Sequence, residues 1–347
     1  MLQTVNLHWI VIYRAADQSD NPNERGRKSM KNIQNFVKST MILGAFLPVL
    51  LHANEPIIDA HAHTFHPAGD IHWSGPELPP DATDEQKNKD KFRRTQAIWD
   101  QHNVVRAVTS GELDYTLRWG KADPERIVSG LILGPEPNTE EQFLNRIRSL
   151  ARSGEIAVLG EIGFQYFGIA PNDPVMEIFY SLAEELDLPV ALHMGPGPVD
   201  VHASAPPYRV SDGDPMLLEE ALVRHPDMRI YVMHAGWPFL DNMIAIMTTY
   251  PQVYVGLGDV AHHFPEAQFH HYLKRLVDAG FGKRIMFGSD AYSPNPKFRS
   301  DPSYFISFEE RYARGIERVR SASFLSDEQK RDIFYNNAVR FFRLSPE

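Results

Sequence analysis

The sequence predicts an α/β protein built as a (β/α)8 TIM barrel. From Pro56 onward, short apolar runs alternate with longer amphipathic stretches, the pattern of strands joined by helices in a parallel sheet. Eight such runs are present, the number that closes a barrel. The first run ends in His-Ala-His, where an open, doubly wound sheet would carry a Gly-rich phosphate turn.

The expected strands are Ile57–His61, Val104–Thr109, Ile127–Leu133, Ala157–Ile162, Pro189–His193, Arg229–His234, Val253–Leu257 and Arg284–Phe287. Their near-continuous apolar character suits strands buried on both faces. Helical stretches are expected at Gln96–His102, Glu140–Arg152, Pro174–Leu186, Pro215–His225, Phe239–Thr249 and Glu266–Gly280. A last helix, Ser326–Leu344, opens on Ser326 with Gln329 three residues on, the layout of a capping box. The polar stretch Pro76–Lys91 reads as a loop overhanging the barrel mouth.

Composition narrows the chemistry. Apolar residues make up 43% of the 347 and charged residues 23%, which implies a packed core and excludes general disorder and a polytopic membrane protein. Lys and Arg number 35 against 45 Asp and Glu, a net charge of -10 without a basic run. Nucleic acid is therefore not an expected partner. There are no cysteines and 15 histidines, so a transition-metal site would have to use imidazole and carboxylate, and thiolate zinc, iron–sulfur and thiol-nucleophile chemistry are excluded.

The first fifty residues carry the layout of an export signal beginning at Met30. Lys31 and Lys38 form a basic flank, Thr40–Leu51 is an apolar run, and Leu51-His52-Ala53 is a small-residue cleavage site. The run is too short to span a bilayer comfortably. The expected organisation is an extension at 1–29 that precedes the true start, a signal peptide at 30–53 and a single barrel domain at 54–347. The expected location is the periplasm or the exterior, with no membrane contact after processing and a small molecule as substrate. A homo-oligomer is compatible with this reading.

Catalytic residues of a barrel lie at the C-terminal ends of its strands. Strand one ends in Asp59-Ala-His61-Ala-His63, strand four carries Gly160-Glu161, strand five ends at His193, strand six at His234 and strand eight leads into Asp290. Residues two apart on a strand share a face, so His61 and His63 can chelate one ion. His193, His234 and Asp290 converge on the same axis from other strands, a donor set suited to a divalent metal.

The ordered segments DAHAH, GEIG, LPVALH, HAGWPF and FGSD resemble the amidohydrolase superfamily. They are most similar to its amidohydrolase-related (amidohydrolase 2) branch, which also includes decarboxylases similar to aminocarboxymuconate-semialdehyde decarboxylase. The resemblance spans about residues 56–344. It implies a barrel with one or two divalent ions, zinc first and manganese or iron as alternatives. It further implies His61, His63, His193 and Asp290 as ligands of one ion, with His234 a ligand of a second ion or a group that polarises the substrate. Many binuclear members carry a carboxylated lysine on strand four, and this chain has Glu161 there. A GEIG glutamate resembles that of TatD-like deoxyribonucleases, where it bridges two metals. The alternative is that Glu161 orients a ligating histidine from behind, as such histidines commonly require.

The expected chemistry is hydrolysis of an amide, ester or lactone of a small carbonyl compound by metal-activated water, with Asp290 moving the proton. Non-oxidative decarboxylation is the alternative, since the same ligands would serve it. Trp237 after strand six, and His202 and Arg209 after strand five, are candidate substrate contacts. His66, His72 and Trp73 after strand one, and His262 and His263 after strand seven, either line the pocket or face solvent. His225, His270 and His271 are expected at the surface. Peptide mapping of the native N-terminus is expected to begin after Ala53; recovery of peptides from residues 1–29 would remove the start at Met30.

Overall fold

The computed structural model of the protein describes residues 55–64, 76, 78–79, 81–134, 137–197, 200–203, 205–291 and 306–346. The expected extension 1–29 and signal 30–53, and His66, His72 and Trp73, lie outside the described residues.

Eight strands follow one another: β1 (Ile57–Thr64), β2 (Val104–Gly111), β3 (Ile127–Leu133), β4 (Val158–Ile162), β5 (Val190–Leu192), β6 (Ile230–Val232), β7 (Val253–Gly256) and β8 (Ile285–Met286). Each pairs in parallel with the next in sequence order. The end of β8 returns to β1 through Ala60 N donating to Phe287 O (2.9 Å) and Asp290 N donating to His61 O (2.7 Å). This is a nearly closed TIM barrel, and the doubly wound alternative falls with its sequential strand order.

Helices cover the outside: α1 (Asp84–His102), α2 (Leu113–Ala122), α3 (Glu141–Ser153), α4 (Met176–Glu185), α5 (Glu219–Arg224), α6 (Leu240–Thr249), α7 (Val260–His263), α8 (Glu266–Asp278) and α9 (Phe308–Arg320). The last helical segment runs from α10 (Asp327–Arg331) through a π turn at Asp332–Asn336 into α11 (Asn337–Phe342). Its Ser326–Gln329 capping box is formed.

Two expectations are corrected. The polar stretch Pro76–Lys91 is not a loop throughout, because a helix begins at Asp84, after Thr83. There a capping box, with Thr83 Oγ1 accepting from Gln86 N and Gln86 Oε1 from Thr83 N, starts α1. The buried face of α1 includes Asn88, Lys91 and Thr95, which hides its amphipathic period from an apolar count. The helices α2 and α9 were not expected. α9 is rich in charge, and α2 is a short ten-residue helix between two strands, so neither stands out as a long apolar-periodic run.

The core has two parts. Outward strand residues such as Ile57, Ala62, Leu159 and Ile162 pack with the helices, including Trp99 and Trp119. Inside the barrel lie Ile58, Ala60, Val108, Val158, Ala191, Tyr231 and Met286, and α11 adds Phe341 and Phe342 beneath them. The Tyr231 ring meets Phe341 edge-on at 5.4 Å and Phe342 at 5.7 Å.

The alternation of faces is broken on two strands. Ile58 and Ala60 point inward, so regular alternation would send His61 and His63 outward. A β-bulge prevents this. Asp59 pairs with Ala107 but Ala62 pairs with Thr109, so β1 takes one residue more than β2 over that stretch. The same occurs on β4, where Leu159 to Ile162 faces Leu131 to Leu133 on one side and Val190 to Leu192 on the other. A bulge re-aims the residues beyond it, and here it turns His61, His63 and Glu161 inward. Gly160 sits in the second bulge at φ 146°, and a Cβ there would lie 2.3 Å from Ala191 O, so only glycine fits.

Trp99 is fully buried at the junction of α1 and α2, edge-on to Trp119 at 6.3 Å. Trp99→Ala is expected to cost about 3–5 kcal/mol of stability, read as a lower denaturant midpoint with a two-state slope unchanged.

Candidate metal centre

Six side chains meet at the C-terminal end of the barrel and form two groups: His61, His63 and Asp290, and Glu161, His193 and His234. Within each group the ligand atoms lie within 4.8 Å of one another. In the first, His61 Nε2 lies 3.1 Å from His63 Nε2 and 3.4 Å from Asp290 Oδ1, and His63 Nε2 lies 3.0 Å from Asp290 Oδ1. In the second, His193 Nδ1 lies 2.7 Å from Glu161 Oε1 and 2.9 Å from His234 Nε2.

The donor atoms fit a cation. His61 Nε2 lies within 3.4 Å of His63 Nε2, Glu161 Oε2 and Asp290 Oδ1, and the one proton it can carry serves at most one of them well. Aimed at a common point these atoms are good ligands. Tetrahedral ligation with bonds of about 2.0–2.1 Å separates the ligand atoms by roughly 3.3–3.4 Å, close to the separations in the first group. These residues are almost all deeply buried, with His61 1% and His193 5% exposed. Only His63 is half-buried, on the open side.

Glu161 joins the groups. Its Oε1 serves His193, while its Oε2 lies 3.3 Å from His61 Nε2 and 3.5 Å from His63 Nε2. Asp290 reaches both as well, with Oδ2 3.6 Å from His234 Nδ1.

The surroundings hold the rings in place, as metal ligands require. Ser110 Oγ lies 3.1 Å from His63 Nδ1, and Gly258 O lies 3.1 Å from His234 Nδ1. A side chain at Gly258 would lie 2.5 Å from His61 Nδ1, so glycine is required. His234 and Ala235 adopt left-handed backbone (φ 57° and 51°), an uncommon conformation that marks functional turns. His262 is buried behind Asp290, its Nε2 donating to Ser289 O at 3.0 Å, and burial lowers its pKa to about 4.

Burial penalises charge on all of these groups, but their mutual attraction wins on the carboxylates. Burial raises the pKa of Asp290, yet His61, His63 and His234 together hold it at about 2. Glu161 is held well below the usual range against burial by His61, His193 and His234. Burial lowers His234, but Glu161 and Asp290 push it up to about 9. The two carboxylates favour a proton on His63 and His234, whereas burial and the neighbouring His234 lower His193; a cation would take the place of those protons.

The three residues expected to contact substrate make local contacts. Arg209 is exposed and donates to Pro206 O and Tyr208 O of its own loop. His202 is exposed beside Asp200. The Trp237 ring stacks on Phe264 at 4.5 Å and leans on Tyr272. His225 is not a surface residue: it is buried between Glu184 (2.9 Å) and Glu177 (2.8 Å). His270 is half-buried and bonded to Arg318 O, whereas His271 is exposed as expected. Residues not anticipated include Ser110, Gly258 and Tyr166, whose ring lies 4.8 Å from His193. No short-range spacing in the sequence flags them.

A (β/α)8 barrel with a His/Asp/Glu metal centre at its C-terminal end defines a metal-dependent barrel enzyme. The sequence profile of the Amidohydrolase family matches residues 58–344, and the chain belongs to that family. No curated protein sequence matches it. Among solved structures it is similar to a probable 2-pyrone-4,6-dicarboxylic acid hydrolase from Acinetobacter baumannii with citric acid bound (16% identity, TM-score 0.55, covering 83% of this chain and 99% of that one). It is also similar to 5-carboxyvanillate decarboxylase from Sphingomonas paucimobilis (15%, 0.52, 84% and 99%). A third is a 2,6-dihydroxybenzoate decarboxylase bound to 2,6-dihydroxybenzoate (11%, 0.52, 84% and 98%).

His61→Ala is expected to leave the fold intact and to lower bound metal measured by elemental analysis. The wild type should lose metal as pH falls, because protons compete for the same imidazole nitrogens; retention unchanged by acid would contradict the histidine ligand set.

Proposed function

We propose that this enzyme hydrolyses an amide, ester or lactone bond of a small carbonyl compound, with two divalent ions, zinc first among them. The observation that carries the reading is Glu161, whose two oxygens address different ligand groups. His61, His63 and Asp290 would hold one ion and His193 and His234 the other, with Glu161 between. When bound, such ions supply a water of lowered pKa and a Lewis acid for the substrate carbonyl.

The chain's own residues supply the rest. Asp290 is ionised throughout the neutral range, so it can accept the proton of the attacking water and return it to the leaving group. With a single ion in place, His234 would instead polarise the substrate carbonyl as negative charge develops on it. Export through residues 30–53 would place this activity outside the cytoplasm, on small molecules.

Decarboxylation is the second reading. One ion held by His61, His63, His193 and Asp290 would serve it, and two of the similar barrels are named as decarboxylases.

Elemental analysis of purified protein prepared without chelator is expected to find two ions per chain, and turnover is expected to yield a new carboxylate without carbon dioxide. One ion per chain with carbon dioxide release would establish the second reading instead. Asp290→Asn should fold normally and lose about 10²–10⁴ in kcat.

A further inference from the structure

We propose that Asp59 is the positioning residue of the metal centre, the group that sets how the histidines of β1 stand against Asp290. Asp59 is fully buried and lies immediately before the β1 bulge. A bulge leaves backbone groups outside the regular ladder, and the amide of His61 is taken up by Asp59 itself, with His61 N donating to Asp59 Oδ1 at 3.0 Å. This is the local side-chain-to-backbone bond that Asp forms two residues on.

The same carboxylate reaches across the barrel seam. Ser289 N donates to Asp59 Oδ1 at 2.8 Å and Ser289 Oγ to Asp59 Oδ2 at 2.6 Å. Tyr312 of α9 donates its hydroxyl to Asp59 Oδ2. One side chain thus takes four donors, one from the residue that is His61 and two from the neighbour of Asp290. It touches no ligand atom, so it acts through the backbone that carries them. Asp290 N donating to His61 O completes the link, with Ser289 Oγ 3.2 Å from the same carbonyl.

The geometry of the first ligand group therefore depends on Asp59. Ligand atoms 3.0–3.4 Å apart come from two strands that share few backbone bonds at this seam. Without the carboxylate, the amides of His61 and Ser289 and the Tyr312 hydroxyl lose their shared acceptor, and the two strand ends can separate. The inference rests on the metal centre and holds whether the enzyme hydrolyses or decarboxylates.

The test is zinc affinity, by competition with a chromophoric chelator, on full-length wild type, Asp59→Ala and Asp59→Asn. Thermal unfolding is recorded for each, with the absorption spectrum of the cobalt(II)-loaded protein as a reading of coordination. Partners behind metal ligands typically control about 10–100-fold in affinity, so Asp59→Ala is expected to lose roughly 100-fold. Asp59→Asn keeps the acceptor for His61 N but presents an amide to the two hydroxyls, and should lose roughly 10-fold with an altered cobalt spectrum. Should Asp59→Ala fail to fold, Asp59→Asn decides. A folded Asp59→Asn that binds zinc within twofold of wild type with an unchanged cobalt spectrum overturns the assignment. Wild type that takes up no zinc or cobalt overturns the metal centre itself, and this inference with it.

Discussion

A strand offers each side chain one of two faces, and neighbours must take opposite ones. In this barrel the inside positions of β1 are already used by Ile58 and Ala60, and that of β4 by Val158. The metal centre exists because one extra residue on each of these strands inverts the alternation just where the apolar interior ends. Below the bulges the barrel is filled with hydrocarbon. Above them the same strands present imidazole and carboxylate. A strand without the bulge would bury the ligands among the outer helices, where a charged pair lacks partners and costs several kcal/mol.

The electrostatics follow from that placement. Six ionisable groups share a buried volume in which isolated charge is expensive. They remain tolerable because two carboxylates stand among four imidazoles, each lowering the cost of the other. Asp290 and Glu161 each face both ligand groups, so the centre behaves as one electrostatic unit, and a change at either carboxylate is felt by every histidine.

Much of this was legible in the sequence. The eight apolar runs found all eight strands, most to within a few residues, because strands buried on both faces are apolar without interruption. The ligand residues stood at the ends of those runs, in short-range patterns. The bulges were not legible, since they are differences in count between paired strands and appear only when both are aligned. For the same reason Asp59 read as part of a motif, not as the group joining β1 to β8. The helix α9 was hidden by its charge, α2 by its shortness, and α1 by polar residues on its buried face. Arg209 was legible as a candidate by type and position, but nothing local in the sequence says that its guanidinium turns back to Pro206 and Tyr208 of its own loop.

The aromatic plug at the base of the barrel bears on traffic. Phe341 and Phe342 fill the end opposite the ligands, under Tyr231, so among the described residues that end of the barrel axis is packed with aromatic rings. Exchange of reactant and product would then fall to the doorway at the ligand end, where a slow-leaving product would stand in the way of the next arrival. The lower half of the barrel can be rebuilt for stability without altering that exchange, and the segments around the doorway can diverge without disturbing the plug.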